Sequence, residues 1–147
     1  MGTWGHGPFD NDTACDWAHE LGENGGFSKI EATIDAVLEN GMEYLDANAA
    51  DEGIVAADVI ARLCGEYGVR NPYTEGVDEW VSKQTRRPNS ALIEKAITAL
   101  DRIVTKPSEL VELWEESDSE AGKWKEEIAA LRIRLIRAGD QAGGAKE

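Results

Sequence analysis

Apolar residues recur in this chain at spacings of three and four, a periodicity that commits it to helices before any motif is considered. Ala14, Trp17, Ala18 and Leu21 lie at i, i+3, i+4 and i+7. Ile30, Ile34, Val37 and Leu38 repeat the pattern, as do Leu92, Ile93, Ala96, Ala99, Leu100 and Ile103. Trp124, Ile128, Leu131 and Leu135 recur at spacings of four, three and four. No segment sustains the period-two alternation of a half-buried strand. Asn40-Gly41 follows a helical run and reads as a helix end rather than a hairpin turn. The expected fold is all-α: a compact single-domain bundle of six to seven helices.

Punctuating residues divide the bundle. Asp10-Asn11-Asp12 reads as a helix start, with Asp10 and Asp12 as caps, and Gly22 and Gly25-Gly26 as its end. Ser28-x-x-Glu31 is a capping box for a second helix that leaves at Gly41. Residues 42–50 fit either a helix extension or a turn. From Ala50 to Tyr67 the chain is apolar on more than one side, which marks the central buried helix. A loop with Asn71-Pro72 follows, then a short helix near Val77–Lys83. Asn89 or Ser90 caps the next helix, Pro107-Ser108 restarts the chain, and Ser117-Asp118-Ser119 precedes the last one. Arg132, Arg134 and Arg137 suit that helix's C-terminal dipole. The glycine-rich opening is expected to pack back on the bundle, anchored by Trp4 and Phe9. The domain is drawn at residues 1–138, with 139–147 as a flexible tail.

At 147 residues, 41% of them hydrophobic, the chain can bury a core despite a net charge of −14. The charge is unevenly spread. Residues 1–60 hold thirteen Asp and Glu against a single base, Lys29, while residues 61–147 hold sixteen acids and fourteen bases. Such a field repels nucleic acid and anionic membranes and attracts a basic protein surface. The plainer reading is that the acids keep the protein in solution. No run approaches the ~18 apolar residues that span a bilayer. The opening lacks the basic and apolar regions of a signal peptide, and Cys15 and Cys64 fall inside helical patterns without a C-x-x-C. A cytoplasmic protein with buried thiols is expected.

The opening Met1-Gly2-Thr3-Trp4-Gly5-His6-Gly7-Pro8-Phe9-Asp10-Asn11-Asp12, with Ala14, Asp16 and Trp17, resembles that of a bacterial family of unknown function, DUF4259. Ser108-Glu109-Leu110, Glu112-Leu113-Trp114-Glu115-Glu116-Ser117-Asp118, Trp124 and Leu131-Arg132-x-Arg134-Leu135 are similar to its closing pattern. The resemblance spans about residues 1–137. It implies small standalone bacterial proteins and no established activity. Some similarly catalogued families look like immunity proteins for secreted toxins, an analogy at the level of the family alone.

Several constellations carry chemistry on paper. Asp12, Asp16 and Glu20 stand at i, i+4 and i+8, and His6 and His19 are near in sequence, which suits a mixed His and carboxylate metal site. An EF-hand fails because Cys15 and Leu21 stand where its Gly and Glu belong, and the His-Glu-x-x-His zinc helix has no second His. Capping by Asp10 and Asp12 and a solvated row at Asp16 and Glu20 is the plainer account. Cys15 and His19 are spaced as a thiolate pair but lack an orienting third group. The tryptophans, at helical spacing, read as core, except Trp4 on its glycine-rich segment. Lys83, Arg86, Arg87, Lys95, Arg102 and Lys106 form a basic stretch that either offsets the acidic half across the fold or faces solvent.

Two functions follow as expectations. The first is a protein-binding module, an immunity-type antagonist docking a basic partner such as a toxin. Its contacts would be Asp10, Asp12, Asp16, Glu20, Glu23, Asp46, Asp51 and Glu52, with Trp4 as an anchor. It needs no catalytic residue and no cofactor. The second is a small metal- or thiol-dependent enzyme built around His6, Asp10, Asp12, Asp16 and His19.

Overall fold

The computed structural model describes Thr3 and residues 5–145. Among them are seven α-helices: α1 (Asp12–Glu20), α2 (Gly26–Glu39), α3 (Ala47–Leu63), α4 (Glu75–Ser82), α5 (Ser90–Ile103), α6 (Glu109–Glu115) and α7 (Asp118–Ala145). No strand occurs among the described residues, only isolated bridges pairing Thr3 with Asn11 and Leu45 with Ser108. The fold is an all-α bundle, and no described helix is long and apolar enough to cross a membrane.

Helix α3 is the axis, packing against every other helix. Its residues from Gly53 onward are all buried, including Asp58 and Arg62. Side chains apolar on several faces leave α3 no stable place at the surface, so the others wrap it. A Cβ added at Gly53 would stand 2.8 Å from Val37 and 3.1 Å from Ile103, so this glycine lets α2 and α5 close on the axis. The N-terminal segment folds back as its composition suggests: Phe9 is buried against the Arg62 guanidinium, 5.2 Å from its ring centroid.

The helix starts refine the sequence reading. Asn11, not Asp10 or Asp12, caps α1, its Oδ1 accepting the Ala14 N–H at 2.8 Å. Asp46 and Asn89 cap α3 and α5 in the same way. Helix α1 does not stop at Gly22 but passes through a π-helical turn (Leu21–Gly25) into α2, with Gly26 at φ +60°. Helix α2 thus begins before the Ser28-x-x-Glu31 box. Helix α7 carries on as helix through Ala145, past the boundary drawn at residue 138, because no proline intervenes.

Two arginines of the interior organise the loops. Arg102 gathers the carbonyls of Gly41, Glu43, Thr105 and Pro107, pinning the α2–α3 connection to the α5–α6 connection. Of the ambiguous stretch 42–50, residues 42–46 are therefore a tethered loop, and 47–50 are the first turn of α3. Arg62 donates Nε to Asp58 at 2.9 Å, Nη1 to Asp78 at 2.7 Å and Nη2 to the Val69 carbonyl. Arg134 of α7 closes on the same Asp58 at 3.1 and 3.2 Å and on the Glu66 carbonyl. Arg132 and Arg137 likewise face Asp101 and Glu66 rather than a helix terminus. Buried charges persist when they are fully partnered, and Asp58, Arg62, Asp78 and Arg102 are.

Candidate functional site

The segment between Gly5 and Asn11 is a tight loop closed by reciprocal bonds. The Asp10 N–H donates to the Gly7 carbonyl at 3.1 Å, and the Gly7 N–H donates to the Asp10 carboxylate at 3.0 Å. A Cβ on Gly5 would stand 2.5 Å from that carboxylate, so the glycine is required by close approach. His6 is tied through Nε2 to Glu120 of α7, and its ring lies 5.2 Å from that of Trp114. Trp114 in turn stacks on Trp124 with ring centroids 6.2 Å apart and planes 13° from parallel.

This loop walls two cavities. One, of about 530 Å³, lies over the Asp58, Arg62 and Arg134 cluster. The other, of about 320 Å³, lies between the loop, α3 and α6 and is bounded by His6, Asp51, Ile54, Leu110, Trp114 and Trp124. Among the described residues its acidic side chains are Asp51 and Glu116, and the His6 ring also lines it. Burial pushes Asp51 up to about 7, with the adjacent Glu52 adding to the shift. A carboxylate so displaced in a concavity is a common mark of a binding or catalytic site.

The acids singled out in the sequence divide into groups. Asp12, Asp16, Glu20 and Glu23 are exposed on α1 and the π turn, and Thr13 reaches Asn48 of α3 at 3.3 Å, setting the two acidic stretches side by side. Asp46 and Glu52 stand at the N-terminal end of α3 beside Glu109, whose Oε1 accepts the Ala47 N–H at 2.8 Å. Glu20 is partly neutralised by Lys29 at 2.8 Å. Asp10 serves the loop and Asp51 the cavity. Trp4, the proposed anchor, lies outside the described residues, although Thr3 and Gly5 on either side both line the aromatic cavity.

The residues of the alternative metal or thiol site are not brought together. His6 is held at Glu120 and Asp10 at Gly7, while His19 pairs with Glu23 at 3.3 Å on the exposed side of α1. Among the described residues no group of three His, Cys, Asp or Glu is disposed to hold a metal ion. Cys15 faces the Phe9 carbonyl at 3.5 Å, and burial followed by Asp12, Asp16 and Asp10 pushes its thiol up, away from the thiolate.

The sequence reading missed the Asp58–Arg62–Asp78–Arg134 cluster. Its signal was present: Asp58 and Arg62 stand four apart in an otherwise apolar run, a spacing that makes an intrahelical ion pair. No curated protein and no solved structure matches the chain. Residues 2–127 match the model of the family described as Domain of unknown function (DUF4259), and the chain belongs to that family.

Proposed function

We propose that this protein is a binding module that docks a basic protein partner through the face formed by α1 and the start of α3. In this reading it is an immunity-type antagonist covering a cationic site on its target, such as a toxin. The supporting observation is the uneven use of charge. Several cations of the second half are engaged internally: Arg86 with Glu31, Lys95 with Asp35, Lys106 with Glu115 and Arg132 with Asp101. Asp12, Asp16, Asp46 and Glu52 have no ion-pair partner among the described residues. Glu52 is pushed up by burial, against the pull of Lys29, and further by Glu20 and Asp46. Crowded like charges on one face are relieved when cations arrive, and they steer the encounter. The reading assigns no catalytic residue and no cofactor.

The test is capture of a partner from the native host at low and moderate salt, with the intact protein and with Asp12→Asn, Asp16→Asn, Asp46→Asn and Glu52→Gln combined. The expected outcome is a basic protein whose association weakens roughly tenfold or more in the variant and falls with salt. Equal recovery by the variant, or a partner indifferent to salt, sinks the reading.

A further inference from the structure

We propose that the cavity beneath the N-terminal loop is a binding site for a small organic cation, an aliphatic ammonium seated among Trp114, Trp124 and Ile54 with its charge against the Asp51 carboxylate. The inference is independent of the acidic docking face, because it concerns a concavity beneath the N-terminal loop and needs no protein partner.

Four observations converge on it. The first is size: about 320 Å³ lies at the small end of pockets that take organic ligands and holds a short alkyl chain with a polar head. The second is the wall chemistry. Ile54, Leu110, Leu113 and the two indoles offer apolar contact, and aromatic rings attract cations. Among the described residues no Lys or Arg lines the cavity, and the Asp51 and Glu116 carboxylates disfavour an anion there. The third is Asp51 itself, which no hydrogen bond or ion pair engages among the described residues. Two other carboxylates at the loop are taken up by it: Asp10 holds Gly7, and Glu120 holds His6. Asp51 keeps its carboxyl unengaged at a place where solvent is scarce. The fourth is rigidity. The walls are fixed by the loop's reciprocal bonds, the His6–Glu120 contact and the Trp114–Trp124 stack, so little ordering accompanies entry.

The titratable groups around Asp51 are Glu52 on its own helix, His6 on the loop, Glu116 after α6 and Glu120 behind His6 on α7. A cation needs Asp51 ionised, whereas burial favours the protonated form up to about pH 7. Binding therefore releases a proton below that pH and weakens as the solution becomes more acidic.

The experiment titrates the full chain with n-butylammonium chloride, following tryptophan fluorescence and calorimetry, with n-butanol and sodium butyrate as controls of similar shape. Saturable binding is expected for the ammonium alone, about tenfold weaker at pH 6 than at pH 8. Asp51→Asn should weaken it at least tenfold at pH 8 and abolish its pH dependence. Trp114→Phe, which keeps the apolar wall, should remove most of the fluorescence response while the calorimetric binding persists. An N-acetyl-lysine amide arm asks whether the site also accepts a side-chain ammonium; equal affinity would extend the ligand class to basic peptides without moving the site. Equal binding of butanol, or an Asp51→Asn variant that binds unchanged, overturns the proposal. So does binding that appears only after Trp4→Ala, which would assign the cavity to the chain's own N-terminal residues. Failure here leaves the low-salt capture result untouched, and failure of capture leaves the butylammonium isotherm untouched.

Discussion

Asp51 shows how one carboxyl changes meaning between a sequence and a fold. In the sequence it is one acid among thirteen in the first 60 residues. In the fold it lies against the aromatic cavity and protonates near neutrality. Its folded-state value is raised from 3.8, so the folded state holds a proton that the unfolded chain has released. Stability from this group is fully present below about pH 4 and is lost as the pH rises towards about 7. Asp51→Asn is therefore expected to raise the unfolding free energy at pH 8, by at most about 4 kcal/mol because solvent still reaches part of the carboxyl. Chemical denaturation at pH 4 and pH 8 checks this, since the gain should all but vanish at the lower pH. The sequence could not reveal the shift, because which side of α3 meets the N-terminal loop is decided by tertiary packing. Asp58 and Arg62 were legible by their spacing and lay hidden only among apolar neighbours. Arg62→Met should cost about 3–5 kcal/mol, leaving Asp58 and Asp78 buried with a cation short.

At the scale of elements the periodicity carried most of the information. The apolar rows of α1, α2, α5 and α7 are the buried rows, and the all-round apolar stretch is the axial helix α3. Boundaries were less legible where local signals compete. Asn11 outcompetes its acidic neighbours as the cap because the backbone places its side chain at the Ala14 N–H, while Asp10 is drawn to Gly7. Asn11→Ala should cost about 1 kcal/mol and open the entry to α1. The π turn was hidden because two glycine signals, which ordinarily end a helix, here allow a wider turn that joins α1 to α2. Helix contacts supply a sharper test at Gly53. Its replacement by Ala forces Val37 and Ile103 to yield, and about 1–3 kcal/mol of destabilisation is expected on thermal or chemical unfolding. A smaller cost would mean that α2 and α5 move apart more readily than their packing implies.

The whole molecule is a charge-segregated body with a net charge of −14. Cross-fold pairs such as Arg86–Glu31 and Lys95–Asp35 lend part of the basic second half to the acidic first half, and Arg102 and Arg87 turn inward onto carbonyls. The outer face of α1 and the beginning of α3 remain among the unbalanced parts of the surface. Self-repulsion there is screened as the Debye length shrinks from about 30 Å at 0.01 M salt to about 8 Å at 0.15 M. The melting temperature is expected to rise over that range, and the four-acid variant should show a smaller rise. The burial of α3 has a consequence for opening motions as well. An axis touched by every other helix cannot be exposed by peeling away any single one of them. Its amide protons from Val55 to Ala61 should exchange with deuterium only through complete unfolding, and their rates then measure the global folding free energy. Amides of α6, at the rim, should exchange through local fraying at far lower cost, so one exchange experiment would separate the hinge-free centre of this molecule from its breathable edge.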